Sequence, residues 1–138
     1  YNIQTKDIAK QLISLRKHFH KHPELGLQEF ETSKKIKEEL DKLSIEYIEV
    51  AETGIIASIG KGEGRTIALR ADMDALKITE KTGVSYASQN PGIMHACGHD
   101  AHTASLIGAA MILKKHENEI PGKVLLIFQP SEENCNGA

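Results

Sequence analysis

The sequence predicts an α/β protein, a three-layer sandwich of helices around a mixed sheet, and three observations predict it. Two segments with one apolar face each come before any strand-like run. Three short apolar runs bounded by glycine follow. A strongly apolar, helix-length segment then leads to a last strand, Lys123 to Phe128, whose continuous apolar run suits the centre of a sheet. The order is helix, helix, three strands, helix, strand, and the polar chemistry falls just beyond the strands that end near Arg70 and Phe128.

Ile8, Leu12, Leu15 and Phe19 recur at four, three and four residues, so Asp7 to about Lys21 reads as a helix with Thr5 or Asp7 as its cap. Pro23 ends it, because proline disfavours helical backbone at His22. His18, His20 and His22 alternate within it. Residues two apart on a helix point in different directions, so the three are read as structural rather than as a joint ligand set. The turn His22-Pro23-Glu24-Leu25-Gly26 reads as a packed connection. A second helix covers about Glu31 to Leu43, burying Ile36, Leu40 and Leu43.

Ile45 to Val50 reads as a strand, and Gly54 marks a turn. Ile55 to Ile59 and Thr66 to Arg70 read as two more strands joined by a tight hairpin through Gly60 to Gly64. That loop lacks a Gly-Lys-Ser/Thr ending and enters a strand rather than a helix, which argues against a phosphate cradle. Asp72 and Asp74 follow directly, where an open α/β sheet displays functional groups, and from this segment alone a turn with ordinary solvent-facing aspartates has an equal claim. Thr79 to Pro91 is polar loop. Thr103 to about His116 is a helix so apolar that burial on more than one side is expected, and Pro121-Gly122 separates it from the last strand.

The totals narrow the partners. With 17 Lys and Arg against 19 Asp and Glu in 138 residues, the net charge is −2 and no basic stripe invites nucleic acid or an anionic membrane. The longest apolar run is far too short to span a bilayer, and no secretory leader opens the chain, so the expected location is cytoplasmic. Two cysteines are too few for a disulfide framework. The chain opens on Tyr1 and stops at Ala138, soon after a double glutamate, and is read as the N-terminal part of something longer.

Two stretches hold the chemistry: Met94 to Ala104, MHACGHDAHTA, and Pro130-Ser131-Glu132-Glu133. Cys97 and His99 flank a glycine, so a turn can aim both at one point. Adjacent glutamates after a buried strand allow one to hold a divalent ion while the other moves a proton. Cys97, His99 and one glutamate make a mixed donor set suited to Zn²⁺ or Mn²⁺. His102 has an equal claim to the same centre or to the start of a helix; His95 and His116 read as structural. Spacing alone leaves open which glutamate does which.

These motifs, with LRADMDAL from Leu69 to Leu76, HPELG from His22 to Gly26 and FQPSEE from Phe128 to Glu133, resemble the metal-dependent amidohydrolases that include aminoacylases, hippurate hydrolases and indole-acetyl-amino-acid hydrolases. The resemblance covers essentially the whole chain. It implies hydrolysis of the amide bond of N-acyl amino acids in a zinc-peptidase-like catalytic domain, with two Mn²⁺ or Zn²⁺ ions per complete site. It assigns Cys97, His99 and Glu133 to the metal, Glu132 to general base catalysis and Asp74 to orienting the site; Asp72 occupies a position held by a metal-binding histidine in related peptidases. It also implies two further metal-binding histidines and an inserted lid domain that forms a homodimer, none of which lies in residues 1–138, so that these residues alone bind metal weakly and turn over little. Lys77 and Ser131 depart from the family's usual proline and alanine, and neither is a proposed ligand. A metallopeptidase for dipeptides is the enzyme alternative. A structural-metal module using Cys97, His99 and Cys135 is the non-catalytic one, and a Cys97–Cys135 disulfide is a further possibility in a metal-free chain.

Overall fold

The computed structural model describes residues 2–137. Helix α1 (Asn2–Lys21) begins five residues before Asp7, so Thr5 and Asp7 lie within the helix rather than at its start. Its apolar stripe is buried at Ile8, Leu15 and Phe19, and Pro23 halts it one turn beyond. Helix α2 (Phe30–Lys42) takes its cap from the preceding turn. One Glu24 carboxylate oxygen accepts the Glu31 N–H at 3.1 Å, and the other accepts the Thr32 N–H at 2.8 Å and the Thr32 hydroxyl at 2.7 Å. An anion there satisfies two unpaired helix donors and faces the positive end of the helix dipole.

Strands β1 (Glu46–Val50) and β2 (Gly54–Ile59) form an antiparallel hairpin through residues 51–53, where Ala51 and Glu52 take left-handed backbone. Strand β3 (Thr66–Asp72), helix α3 (His99–Lys115) and strand β4 (Lys123–Gln129) complete the set, with a short 3₁₀ turn at Glu117–Glu119. The sheet order is β1-β2-β4-β3, with β4 antiparallel to β2 and parallel to β3. The hairpin expected between β2 and β3 is therefore absent, since β4 inserts between them. Its continuous apolar run needs neighbours on both edges, and local alternation cannot reveal such an insertion. The glycines of that loop serve a close approach instead. Gly64 N–H donates to the Pro121 carbonyl at 3.0 Å, and a Cβ on Gly62 would sit 2.0 Å from the same oxygen.

Ile55, Ala57 and Ile59 of β2 line up with Phe128, Leu126 and Val124 of β4 on one sheet face, beneath Ile36 and Leu40 of α2 and Ile107, Ala110 and Met111 of α3. Each fully buried side chain of this size contributes about 1.5–3 kcal/mol. Helix α3 also carries α1 on its outer side, where the absence of a side chain at Gly108 admits Leu12. That explains its apolar course. The other sheet face, with Ile48, Ile56, Leu125 and Ile127, carries no helix among the described residues, and Ile48 is 62% exposed. No helix is long and apolar enough to cross a membrane among the described residues.

Because β3 and β4 are parallel and in register at Asp72 and Gln129, their C-terminal ends lie side by side. The segments that leave them meet the first turn of α3 at that edge.

Candidate metal centre

Helix α3 starts at His99, four residues earlier than the apolar pattern indicated, after Gly98 at φ 88°. The earlier start matters chemically: His99 and His102 are three apart on one helix face, their rings 5.7 Å apart and near parallel at 28°. From the end of β3 come Asp72 and Asp74, both buried, and from the end of β4 come Ser131, Glu132 and Glu133.

His99 is held in one orientation. Its Nδ1 lies 2.9 Å from the Asp74 carbonyl oxygen and 3.2 Å from Asp74 Oδ1, two acceptors that require the proton on Nδ1. Nε2 is left with a lone pair. Around it stand Asp72 Oδ2 at 3.6 Å, Glu133 Oε1 at 3.7 Å and Glu132 Oε2 at 3.8 Å. These separations exceed hydrogen bonds, and they are close to the spacing of about 3.4 Å that donors about 2.0–2.2 Å from one tetrahedral ion show. Glu133 Oε1 is buried without a hydrogen-bond partner, an expensive condition that a cation would relieve. Asp74 Oδ2 accepts the Glu133 N–H at 3.0 Å, so one aspartate orients both His99 and the Glu133 backbone.

Two donor sets, each within 4.8 Å, share His99: Cys97, His99 and Glu133, and Asp72, His99 and His102. In the second, His102 Nδ1 donates to Asp72 Oδ1 at 2.6 Å. Burial alone would raise the Asp72 carboxyl, but the His102 hydrogen bond and the neighbouring His99 hold it below the ordinary range. The Cys97 thiol is pushed up first by the Glu133 carboxylate beside it, then by burial and by the charges of Glu132 and Asp72. A cation reverses that preference by favouring the thiolate and releasing a proton. The mixed sulfur, nitrogen and oxygen donors thus fit a divalent ion such as Zn²⁺ or Mn²⁺, the thiolate favouring the softer Zn²⁺. Cys135 joins neither set among the described residues, and both cysteines are free and exposed, so neither the Cys135-containing metal module nor the disulfide is formed here.

Several residues that position the centre carried no motif. Glu29, fully buried, accepts the Ser131 N–H at 2.8 Å and the Thr53 hydroxyl at 2.7 Å, anchoring the glutamate loop at Ser131, where φ is 50°. Burial pushes its carboxyl up. Behind the first turn of α3, buried Asp100 accepts His20 Nδ1–H at 2.7 Å and Arg16 Nε–H at 2.8 Å. His20 Nε2 reaches Glu80 at 3.1 Å, and Glu80 also accepts the Ser88 N–H at 2.6 Å and the Thr82 hydroxyl at 2.5 Å. Burial works against the Glu80 charge, but these hydrogen bonds outweigh it and bring its pKa down to about 2. One signal for His20 was available: Leu12, Arg16 and His20 repeat every four residues beside the apolar stripe. Glu29 and Glu80 had none. His95 is 4% exposed with both ring nitrogens unpartnered, and burial lowers its pKa to about 4.

The family model described as peptidase family M20/M25/M40 matches residues 68–138. The N-acetyl-L-cysteine deacetylase of Bacillus subtilis is 51% identical over 138 residues, covering 99% of this chain and 33% of that protein. The IAA-amino acid hydrolase ILR1-like 5 of Arabidopsis thaliana is 50% identical over 134 residues, covering 96% of this chain and 31% of that protein. Among solved structures, the Bacillus subtilis YXEP protein, described as a dinuclear metal binding peptidase from the M20 family, superposes with a TM-score of 0.91 at 50% identity, covering 96% of this chain and 38% of that one. The chain therefore spans about a third of the length of the curated relatives it matches.

Proposed function

The chain belongs to peptidase family M20/M25/M40, and from that premise we propose that it is the N-terminal part of the catalytic domain of an amidohydrolase that splits N-acyl amino acids into a carboxylic acid and a free amino acid. The observation that carries the reading is the His99 Nε2 lone pair facing three carboxylates, with Glu133 Oε1 buried and unpartnered. The deacetylase and hydrolase names of the relatives support the substrate class.

In this reading Cys97, His99 and Glu133 hold metal, and Asp74 keeps His99 in the tautomer that ligates. Two ions, Mn²⁺ or Zn²⁺, complete the centre, in keeping with the dinuclear relative; their remaining ligands come from residues beyond these 138, as do a lid domain and a homodimer contact. When bound, the ions lower the pKa of water and polarise the amide carbonyl. Glu132, 38% exposed at the rim, accepts the proton of the attacking water as its oxygen bonds to the carbonyl carbon. Glu132 then delivers that proton to the departing nitrogen as the C–N bond breaks. The protein works on a small molecule in the cytoplasm, without nucleic acid or membrane as partner.

The test is amine release from N-acetyl, N-benzoyl and indole-acetyl amino acids and from dipeptides, with Mn²⁺ or Zn²⁺, in the longer chain that this reading requires. Cleavage of acyl amino acids that Glu132→Gln abolishes supports it. Cleavage of dipeptides alone moves the activity to a dipeptidase, and a folded, metal-loaded protein that cleaves nothing overturns it.

A further inference from the structure

The alternating histidines at the end of α1 part company in three dimensions. His20 turns inward to Asp100 and Glu80. His18 and His22, four residues apart, share the opposite side of the helix, their ring centroids 4.9 Å apart and tilted by 52°. We propose that His18 and His22 form a peripheral cation site, a two-imidazole chelate for a borderline divalent transition-metal ion of the Zn²⁺, Ni²⁺ or Cu²⁺ type, additional to the centre at Cys97, His99 and Glu133.

Four-residue spacing on a helix makes side chains neighbours. With Zn–N bonds of about 2.0–2.1 Å at a tetrahedral ion, two imidazoles that share it place their ring centres about 5 Å apart, close to the separation here. The backbone keeps the pair in step, since the His22 N–H still bonds the His18 carbonyl at 3.2 Å. Imidazole suits Zn²⁺, Ni²⁺ and Cu²⁺ and is a poor ligand for Mg²⁺ or Ca²⁺, which sets the chemical class.

The groove around the pair carries three carboxylates against two ammoniums. His18 is exposed and His22 half-buried, and both line a groove of about 400 Å³ with Glu24, Glu31, Glu38, Lys34 and Lys35. Lys35 is engaged by Glu38 and Glu39 at 3.4 and 3.0 Å, and Lys34 by Glu31 at 3.7 Å, so neither ammonium stands free over the rings. The pair also occupies the negative, C-terminal end of a 20-residue helix. Partial burial, the neighbouring His22 and the Lys35 ammonium hold the His18 ring below its ordinary pKa against the pull of Glu38 and Glu39, which favours the neutral, ligating form.

The experiment is Zn²⁺ titration against a chromophoric chelator, on the wild type, on His18→Asn, on His22→Asn and on Cys97→Ser, with Co²⁺ spectra in parallel. The thiolate-to-cobalt band reports the Cys97 centre alone, so failure of that centre shows as loss of the band and is separable from failure of the pair. The wild type is expected to bind an equivalent that gives no thiolate band and that survives in Cys97→Ser. Each histidine substitution should weaken that equivalent on the order of 10²-fold by removing one of two linked ligands, leaving the band intact. His18 is exposed, so His18→Asn keeps the comparison available if His22→Asn fails to fold. Unchanged stoichiometry and affinity in His18→Asn overturns the proposal.

Discussion

The two sides of the segment from Cys97 to Asp100 treat their polar atoms in opposite ways. On one side, His99 Nε2 faces three carboxylate oxygens 3.6–3.8 Å away and Glu133 Oε1 is buried without a partner. On the other, Arg16, His20, Asp100 and Glu80 close a chain of contacts between 2.7 and 3.1 Å, sealed by Ser88 and Thr82. The unmet groups around His99 fit the proposed ion, and the met ones hold the loop still; His95, buried with both ring nitrogens unpartnered, follows neither pattern. The difference separates chemistry from support within a few residues of chain.

The largest expected effect breaks the chemical side alone. In the longer chain, Glu132→Gln should cut amide hydrolysis about 10²–10⁴-fold while the melting temperature stays within a degree or so of the wild type. A melting temperature that falls along with activity would place Glu132 with the support instead.

Next comes the reverse experiment. His20→Ala takes one partner each from buried Asp100 and Glu80, leaving Asp100 with Arg16 and Glu80 with Ser88 and Thr82, and urea unfolding should show a loss of about 3 kcal/mol. A loss under about 1 kcal/mol would mean that these contacts contribute no more than surface ion pairs and that the comparison fails on this side.

Adding the ion should move the chemical side toward the condition of the support. Zn²⁺ or Mn²⁺ at a hundred times its dissociation constant stabilises the native state by about 2.7 kcal/mol if it binds only that state. Thermal shifts should show this, a chelator should reverse it, and Glu133→Gln should remove most of it. Equal shifts in wild type and Glu133→Gln would send the ion elsewhere.

The smallest effect is an acid one. The Glu80 pKa is depressed from 4.5 to about 2 in the folded chain, so its contribution is complete above about pH 4.5 and is lost as pH falls from there toward 2. Stability measured across that window should fall more steeply in the wild type than in Glu80→Gln. Parallel curves would show that the charge on Glu80 matters little.

Much of this was legible in the residues, for reasons that differ by element. The spacing of Ile8, Leu12, Leu15 and Phe19 announced α1 because a 3.6-residue period is a local property. The run Val124 to Phe128 announced a central strand because a strand flanked on both edges has little room for polar groups. The start of α3 was placed too late, because Cys97, Gly98 and His99 look like a turn when the helix they open is unseen. Cys97, His99, Asp74, Glu132 and Glu133 stood out by residue type and motif, and the fold places them together at one sheet edge. Glu29 and Glu80 did not stand out, since the partners that tie them to the centre, Ser131 and His20, lie 102 and 60 residues away.

By itself, then, the sequence determined the periodic elements, the family and which residue types are candidate donors, all of which depend on neighbours along the chain. Only the tertiary structure decided that β4 enters between β2 and β3, that Asp74 turns His99 so that Nε2 faces the carboxylates, and that His20 goes inward while His18 and His22 stay outside. Those outcomes depend on which distant groups come within hydrogen-bonding reach, and that distance is set by packing rather than by spacing in the chain.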